Sequence, residues 1–259
     1  MNVDTILWRA GWATLGSGAV CLGLSLVDGR RVGGVNTWLK PLKFALSVGV
    51  YLLTVALLLP LAEISELRRA WLSWGIPLSI GGTFLLVVVQ GGRGVKSHFN
   101  VSTRLNAGIF HFMGLMITIH TVLMGVLLWS FYESSLPLPL AWGIRLGLVS
   151  AMLGSVQGFS MTSRLSHTVG AADGGPGLPF FNFSTRAGDL RVAHLLALHG
   201  LQTLPLAGCW MADLQVPRGS LLVWLLFLAQ VGLSVLALLQ ALAGKPLRAV
   251  ADSTSKANS

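Results

Sequence analysis

Seven long apolar stretches, at about 8–27, 43–62, 71–90, 106–131, 138–160, 190–212 and 219–243, dominate this sequence. Each supplies the roughly 20 residues that a helix needs to cross the hydrocarbon core of a bilayer. No water is available there to satisfy backbone N–H and C=O groups, so each stretch must close its own hydrogen bonds as a helix. The chain has 259 residues, 53% of them hydrophobic and 10% charged, so seven crossings with short loops use nearly all of it. The sequence predicts an all-α polytopic membrane protein, a single integral membrane domain over 1–259 with no separate soluble domain.

The net charge of +9 in such a chain reports orientation and lipid contact. No basic helix or RNA-binding signature is present, so nucleic acid is not an expected partner. Seven crossings put the termini on opposite sides. Arg9, Arg68, Arg69, Arg145 and Arg218 fall on the side of the N-terminus, and the other Lys and Arg, Arg248 and Lys256 included, fall on the opposite side. By the positive-inside rule that richer side is cytoplasmic, with the N-terminus out and the C-terminus in. The first apolar stretch has no small-residue cleavage site, which predicts a retained helix, and compactness with a lack of targeting tails predicts a bacterial inner membrane. Cys21 and Cys209 lie inside apolar stretches and read as core residues. Trp8, Trp38, Trp71, Trp74, Trp129, Trp142 and Trp210 lie near helix ends, where amphipathic rings anchor in the headgroup layer. Gly143, Gly147, Ala151, Gly154 and Gly158 allow close approach of the fifth helix, and Pro205 should kink the sixth.

Comparison of the chain with itself reveals a repeat. The loop after the third stretch reads Gln90-Gly91, Ser97-His98, then Phe99-Asn-Val-Ser-Thr-Arg104. The loop after the fifth reads Gln157-Gly158, Ser166-His167, an insertion from Thr168 to Phe180, then Phe181-Asn-Phe-Ser-Thr-Arg186. Each copy leads into a helix with a candidate N-cap, Asn106 or Asp189, followed five residues on by His111 or His194 and three further on by Gly114 or Ala197. Repeats over about 71–131 and 138–212 predict two parallel hairpins forming a four-helix core about a pseudo-twofold axis, with helices 1, 2 and 7 peripheral. A weaker third copy places Asn36 four residues before Lys40.

All six histidines lie within or just after these copies, and ionisable groups inside a membrane are costly enough to be functional candidates. His111 and His194 would stand roughly 7 Å inside their helix ends, at equal depth. Two neutral imidazoles on facing helices can clamp heme iron, with Gly114 and Ala197 clearing space for the macrocycle and Arg104 and Arg186 suited to its propionates. At these residues the chain resembles membrane b-type cytochromes and, loosely, the heme A synthases, over about 71–212. It departs from the latter in having seven rather than eight helices and no Glu-containing ligand motif. The resemblance implies heme b and a one-sided electron-transfer or oxidoreductase role toward a membrane-dissolved partner such as quinone.

Two other readings stay open. His98, His167, His111 and His194, helped by Asp173 or Asp189, would suffice for a zinc or non-heme iron centre acting on membrane lipid. Seven-helix zinc hydrolases of the ceramidase and adiponectin-receptor type are similar in outline, but their HxxxH pair is absent. The third reading is a small-anion carrier in which Arg104 and Arg186 meet the anion and His120, His199 and Gln202 are buried polar groups. Seven-helix sugar carriers of the SWEET type repeat three helices rather than two. Against all three stands a purely structural use of FNxSTR, in which Asn, Ser and Thr turn and cap the chain. Gly174-Gly-Pro-Gly-Leu-Pro reads as a turn-rich lid over the site.

Overall fold

In the computed structural model, which describes residues 3–247, seven helices are long and apolar enough to cross a membrane. They are α1 (Thr5–Val27), α2 (Leu39–Leu58, prolonged by a 3-10 turn over Leu59–Leu61), α3 (Glu66–Gly92), α4 (Arg104–Tyr132), α5 (Leu138–Arg164), a sixth crossing made of α6 (Leu190–Leu198) and α7 (Gly200–Asp213), and α8 (Gly219–Leu242). All seven expected crossings are present. Arg248 and Lys256, which entered the charge asymmetry, lie outside the described residues.

Several helices begin where a polar side chain closes open backbone N–H groups. Asp4 accepts from the Leu7 amide at 3.0 Å, Ser65 from Arg68 at 3.4 Å, Thr103 from Asn106 at 3.2 Å and Asp189 from Arg191 at 3.1 Å. Asp189 caps α6 as expected, but the cap of α4 is Thr103, and Asn106 lies buried in the first turn. His111 therefore stands three residues deeper past its cap than His194, a difference of about 4.5 Å where equal depth was expected.

The helices group in threes. α1, α2 and α3 touch one another pairwise, as do α5, the sixth crossing and α8, while α4 bridges from α3 to α5. The two groups also meet where α2 touches α7. In each group the loop between the first two helices carries a short antiparallel pair: β1 (Arg31–Val32) with β2 (Val35–Asn36), and β3 (Thr168–Val169) with β4 (Gly188–Asp189). α3 packs on α4 and α5 on the sixth crossing, but the duplicated four-helix core about a pseudo-twofold axis is not shown: α2, placed at the periphery by the repeat, is well buried, and α8 is the least buried crossing.

Small residues account for this grouping, because apolar faces gain little from meeting in lipid and contact forms where backbones can come close. A Cβ on Gly11 would lie 2.8 Å from Leu53, and one on Gly49 would lie 2.6 Å from Leu15, which locks α1 to α2. A Cβ on Gly143 would lie 2.5 Å from the Leu204 carbonyl oxygen, and one on Gly154 would lie 2.9 Å from Leu198, which locks α5 to the sixth crossing.

The sixth crossing breaks at His199, six residues before Pro205, which itself lies inside α7. Carbonyls around the break are taken up by neighbours: Gln230 donates to the Leu196 oxygen and Ser150 to that of Ala197, each at 2.8 Å. Polar side chains thus replace the hydrogen bonds that lipid cannot supply. Trp38 departs from the anchor expectation. It is 9% exposed, sits with Cys21 and Leu42, and donates its indole N–H to Asp28 at 2.7 Å. Both cysteines are free, and Cys21 is buried.

Candidate functional site

The repeated loop motifs act first as structure. Asn100 accepts from the amide and hydroxyl of Ser102 at 3.2 and 2.7 Å and donates to the Lys96 carbonyl, an Asx turn that delivers Thr103 to its cap. In the second copy Ser184 accepts from the Ala187 amide at 3.0 Å, and Thr185 donates to the Pro176 carbonyl. The copies differ in detail: Phe99 takes a positive φ of 58° in one, and Asn182 takes 56° in the other. Gln90 is fully buried against Asn106, whereas Gln157 reaches Ser234 on α8. Equal sequence thus serves unequal surroundings.

His111 is exposed on α4, its Nδ1 2.7 Å from the Ala107 carbonyl of its own helix. His194 is half-buried, its Nδ1 2.7 Å from the Gly154 carbonyl of α5. In both, Nδ1–H must be the donor, which leaves Nε2 as a lone pair suited to a metal. The rings nevertheless belong to different places. α4 lies on α3 and α5, whereas α6 lies on α5 and α8. A Cβ on Gly114 would meet nothing, whereas Ala197 is 1% exposed with its carbonyl on Ser150, so the two small residues stand in unlike surroundings. The pair lacks the matched setting expected of two facing heme ligands. Arg104 and Arg186 are exposed on the basic face. Among the described residues no three His, Cys, Asp or Glu side chains converge as a bound metal requires, so His98, His167, His111 and His194 form no such centre.

A different set does converge on the basic face, between the start of α2, the 93–103 loop, the 165–189 loop and the start of α6. Lys40 Nζ lies 3.2 Å from His98 Nδ1, and Phe44 and Phe99 flank the His98 ring at 5.5 and 6.1 Å. Phe99 also faces His167 at 6.5 Å. Lys43 donates to the Phe181 carbonyl at 3.2 Å, holding the 165–189 loop against α2. Asp189, 2% exposed, pairs with Arg191 at 2.6 Å and accepts from the Ser184 amide at 2.8 Å. Asp173 accepts from the Ser166 hydroxyl at 2.8 Å and the Thr168 amide at 3.0 Å.

Burial, the Lys40 charge beside it and the nearby His194 hold the His98 pKa well below its ordinary value, so the ring is neutral. Burial would raise both Asp173 and Asp189. Hydrogen bonds from Thr168 and Ser166 outweigh it at the first, and the Arg191 guanidinium does so at the second, so both carboxyls titrate below the usual range. His167 lies 3.5 Å from Asp173 and 3.9 Å from Asp189, yet its pKa falls to about 4. Burial and Arg191 prevail because each carboxylate is already engaged by other donors.

The lowered His167 pKa carries a pH dependence. Its ordinary value is 6.5, so the stability it lends the closed loop is complete above that pH and is lost as pH falls from 6.5 toward 4. Hydrogen exchange over 167–190, corrected for intrinsic rates, should show constant protection above that window and a loss of up to about tenfold per pH unit within it. His167→Asn should flatten the profile. A flat profile in the unaltered protein would mean that His167 does not titrate with the loop.

No protein-family model matches the chain, nor does any curated protein or any solved structure. The sequence pattern marks His98, His167, Asp173 and Asp189 as candidates, while Lys43 and Arg191 enter it only as charges of the basic side. Lys40, another of those charges, stands also in the weak third copy, the one signal pointing to α2.

Proposed function

We propose that this chain is a carrier of small solutes whose two three-helix units move against each other about the contact between α2 and α7. The observation that carries the reading is the grouping itself: α1–α3 and α5–α8 are like-oriented triangles joined by α4. Parallel repeats with an interrupted helix near the bilayer midplane are the usual architecture of alternating access. The three-one-three grouping is that of the seven-helix sugar carriers, a likeness of arrangement alone. Polar groups in the membrane interior support the same reading. The buried Tyr51 hydroxyl has no hydrogen-bond partner among the described residues, and its ring meets that of His120 at 5.2 Å. His120 is 5% exposed and stands 3.2 Å from Ser79, and Gln202 reaches across the units to Thr54 at 3.4 Å. By the positive-inside rule the basic face is cytoplasmic.

The Thr54–Gln202 contact supplies the test. A Thr54→Cys, Gln202→Cys protein lacking Cys21 and Cys209 is reconstituted in proteoliposomes and assayed for counterflow of labelled carboxylates, phosphate, amino acids and sugars. Oxidation is expected to abolish uptake of the transported class, and reductant to restore it. Undiminished uptake in the cross-linked protein, or no uptake of any class, would sink the carrier reading. A Soret band that sharpens and shifts with dithionite in the same preparation would instead restore the cytochrome reading.

A further inference from the structure

We propose that the groove between β1 and the 93–103 loop is a seat for an anionic phospholipid, with Arg31 and Lys96 meeting its phosphate and Val32, Val95, Phe99 and Val101 carrying its glycerol and first acyl carbons. Such a seat is independent of the carrier reading, since it takes the surrounding membrane rather than a solute.

The groove is open on the basic face and has a volume of about 630 Å³. One wall belongs to the hairpin that joins α1 to α2 and the other to the loop that joins α3 to α4, so both stand where helices leave the bilayer, at the level of its headgroups. The walls are tied together within the protein. Arg30 of the hairpin donates to the Gly92 carbonyl at the end of α3 at 3.0 Å, and the Thr37 hydroxyl donates to that of Gly91 at 2.7 Å. A groove whose shape is set beforehand costs little to fill.

Its charge is of one sign. Arg31 and Lys96 are both exposed, no acidic residue lines the groove, and neither cation has a carboxylate partner among the described residues. Arg31 reaches only the Gly34 carbonyl of its own hairpin, at 3.5 Å, and Asp28 at the base of that hairpin is already taken by Arg30 and Trp38. Basic pockets at the cytoplasmic ends of helices are complementary to the anionic lipids of that leaflet.

The apolar lining decides between a lipid and a free anion. Val32, Val95, Phe99 and Val101 share the groove with the two cations, and Val101 is 52% exposed. A free phosphate gains nothing from such surface, whereas a phospholipid brings both a phosphate and hydrocarbon to cover it. Phe99 holds a left-handed φ of 58°, a backbone that a bulky residue adopts only at a cost, and its ring is fixed by those of His98 and Phe110 at 6.1 and 5.8 Å. Strain that the surroundings hold in place is characteristic of ligand contacts.

The full chain in neutral detergent is titrated with short-chain phosphatidylglycerol, short-chain phosphatidylcholine or glycerol 3-phosphate. Binding is read from the mass of the intact complex, and hydrogen exchange is followed over 93–103. Phosphatidylglycerol is expected to bind in preference to the other two, to slow exchange over 93–103, and to bind at least about tenfold more weakly to the Arg31→Gln, Lys96→Gln protein. Arg164→Gln with Lys245→Gln removes the same charge from exposed positions that do not line the groove, and should leave the affinity unchanged. Equal weakening in the two double variants would reduce the effect to general attraction by the basic face and overturn the seat. Glycerol 3-phosphate binding as tightly as phosphatidylglycerol would leave the apolar walls unused and overturn it too, as would phosphatidylglycerol that binds without slowing exchange over 93–103.

Discussion

Gly188→Ala is expected to be the most damaging single-methyl change in the protein. A Cβ at this position would lie 1.9 Å from the Ala241 carbonyl oxygen and 2.6 Å from its carbon, both backbone atoms of α8 that cannot rotate aside. The methyl would wedge β4 from the end of α8 and pull on Asp189, the next residue. Overpacking of a tightly closed contact costs about 3 kcal/mol or more where nothing can yield. Unfolding in mild detergent should show a much lower midpoint. Gly232→Ala, on the same helix, is the control, because its Cβ would meet nothing and an alanine there favours the helix by about 0.5–1 kcal/mol. Equal midpoints for the two variants would mean that α8 does not close on β4 as described.

Asp189→Ala should cost nearly as much by a different route. This carboxylate accepts from the amides of Ser184 and Arg191, pairs with the Arg191 guanidinium and caps α6. Its loss leaves a largely buried guanidinium uncompensated, typically about 3–5 kcal/mol when one partner of a buried pair is removed. Removing the second partner should recover part of the loss, so Asp189→Ala with Arg191→Leu is expected to unfold later than Asp189→Ala alone. Limited proteolysis within 165–189 should report the same order. A single variant as resistant as the unaltered protein would show that the pair does not hold the loop.

These expectations rest on contacts of unequal legibility. Apolar length alone placed all seven crossings, because a bilayer demands about 20 such residues per helix. Local chemistry placed Asp189 as a cap, since a cap acts on backbone groups within a turn of itself, whereas the break at His199 lies six residues before Pro205, where the sequence expected a kink. It misplaced the cap of α4, where Thr103 and Asn106 both carry suitable side chains and only the turn built by Asn100 decides between them. The repeat was real as sequence, yet His111 looks out from α4 while His194 leans on α5. A histidine one helix away from its counterpart's setting has the same letter and a different neighbour.

The residues thus determined the class, the number of crossings and the gathering of polar loops on one basic face, because these follow from transfer of side chains between water and lipid. Which helices meet was decided only in three dimensions. Most faces of these helices are apolar, so no hydrophobic stripe selects a partner, and the choice falls to where Gly11, Gly49, Gly143 and Gly154 let backbones approach. That choice placed α2 inside the protein and brought Lys40 against His98, 58 residues away along the chain, a juxtaposition that no periodicity encodes.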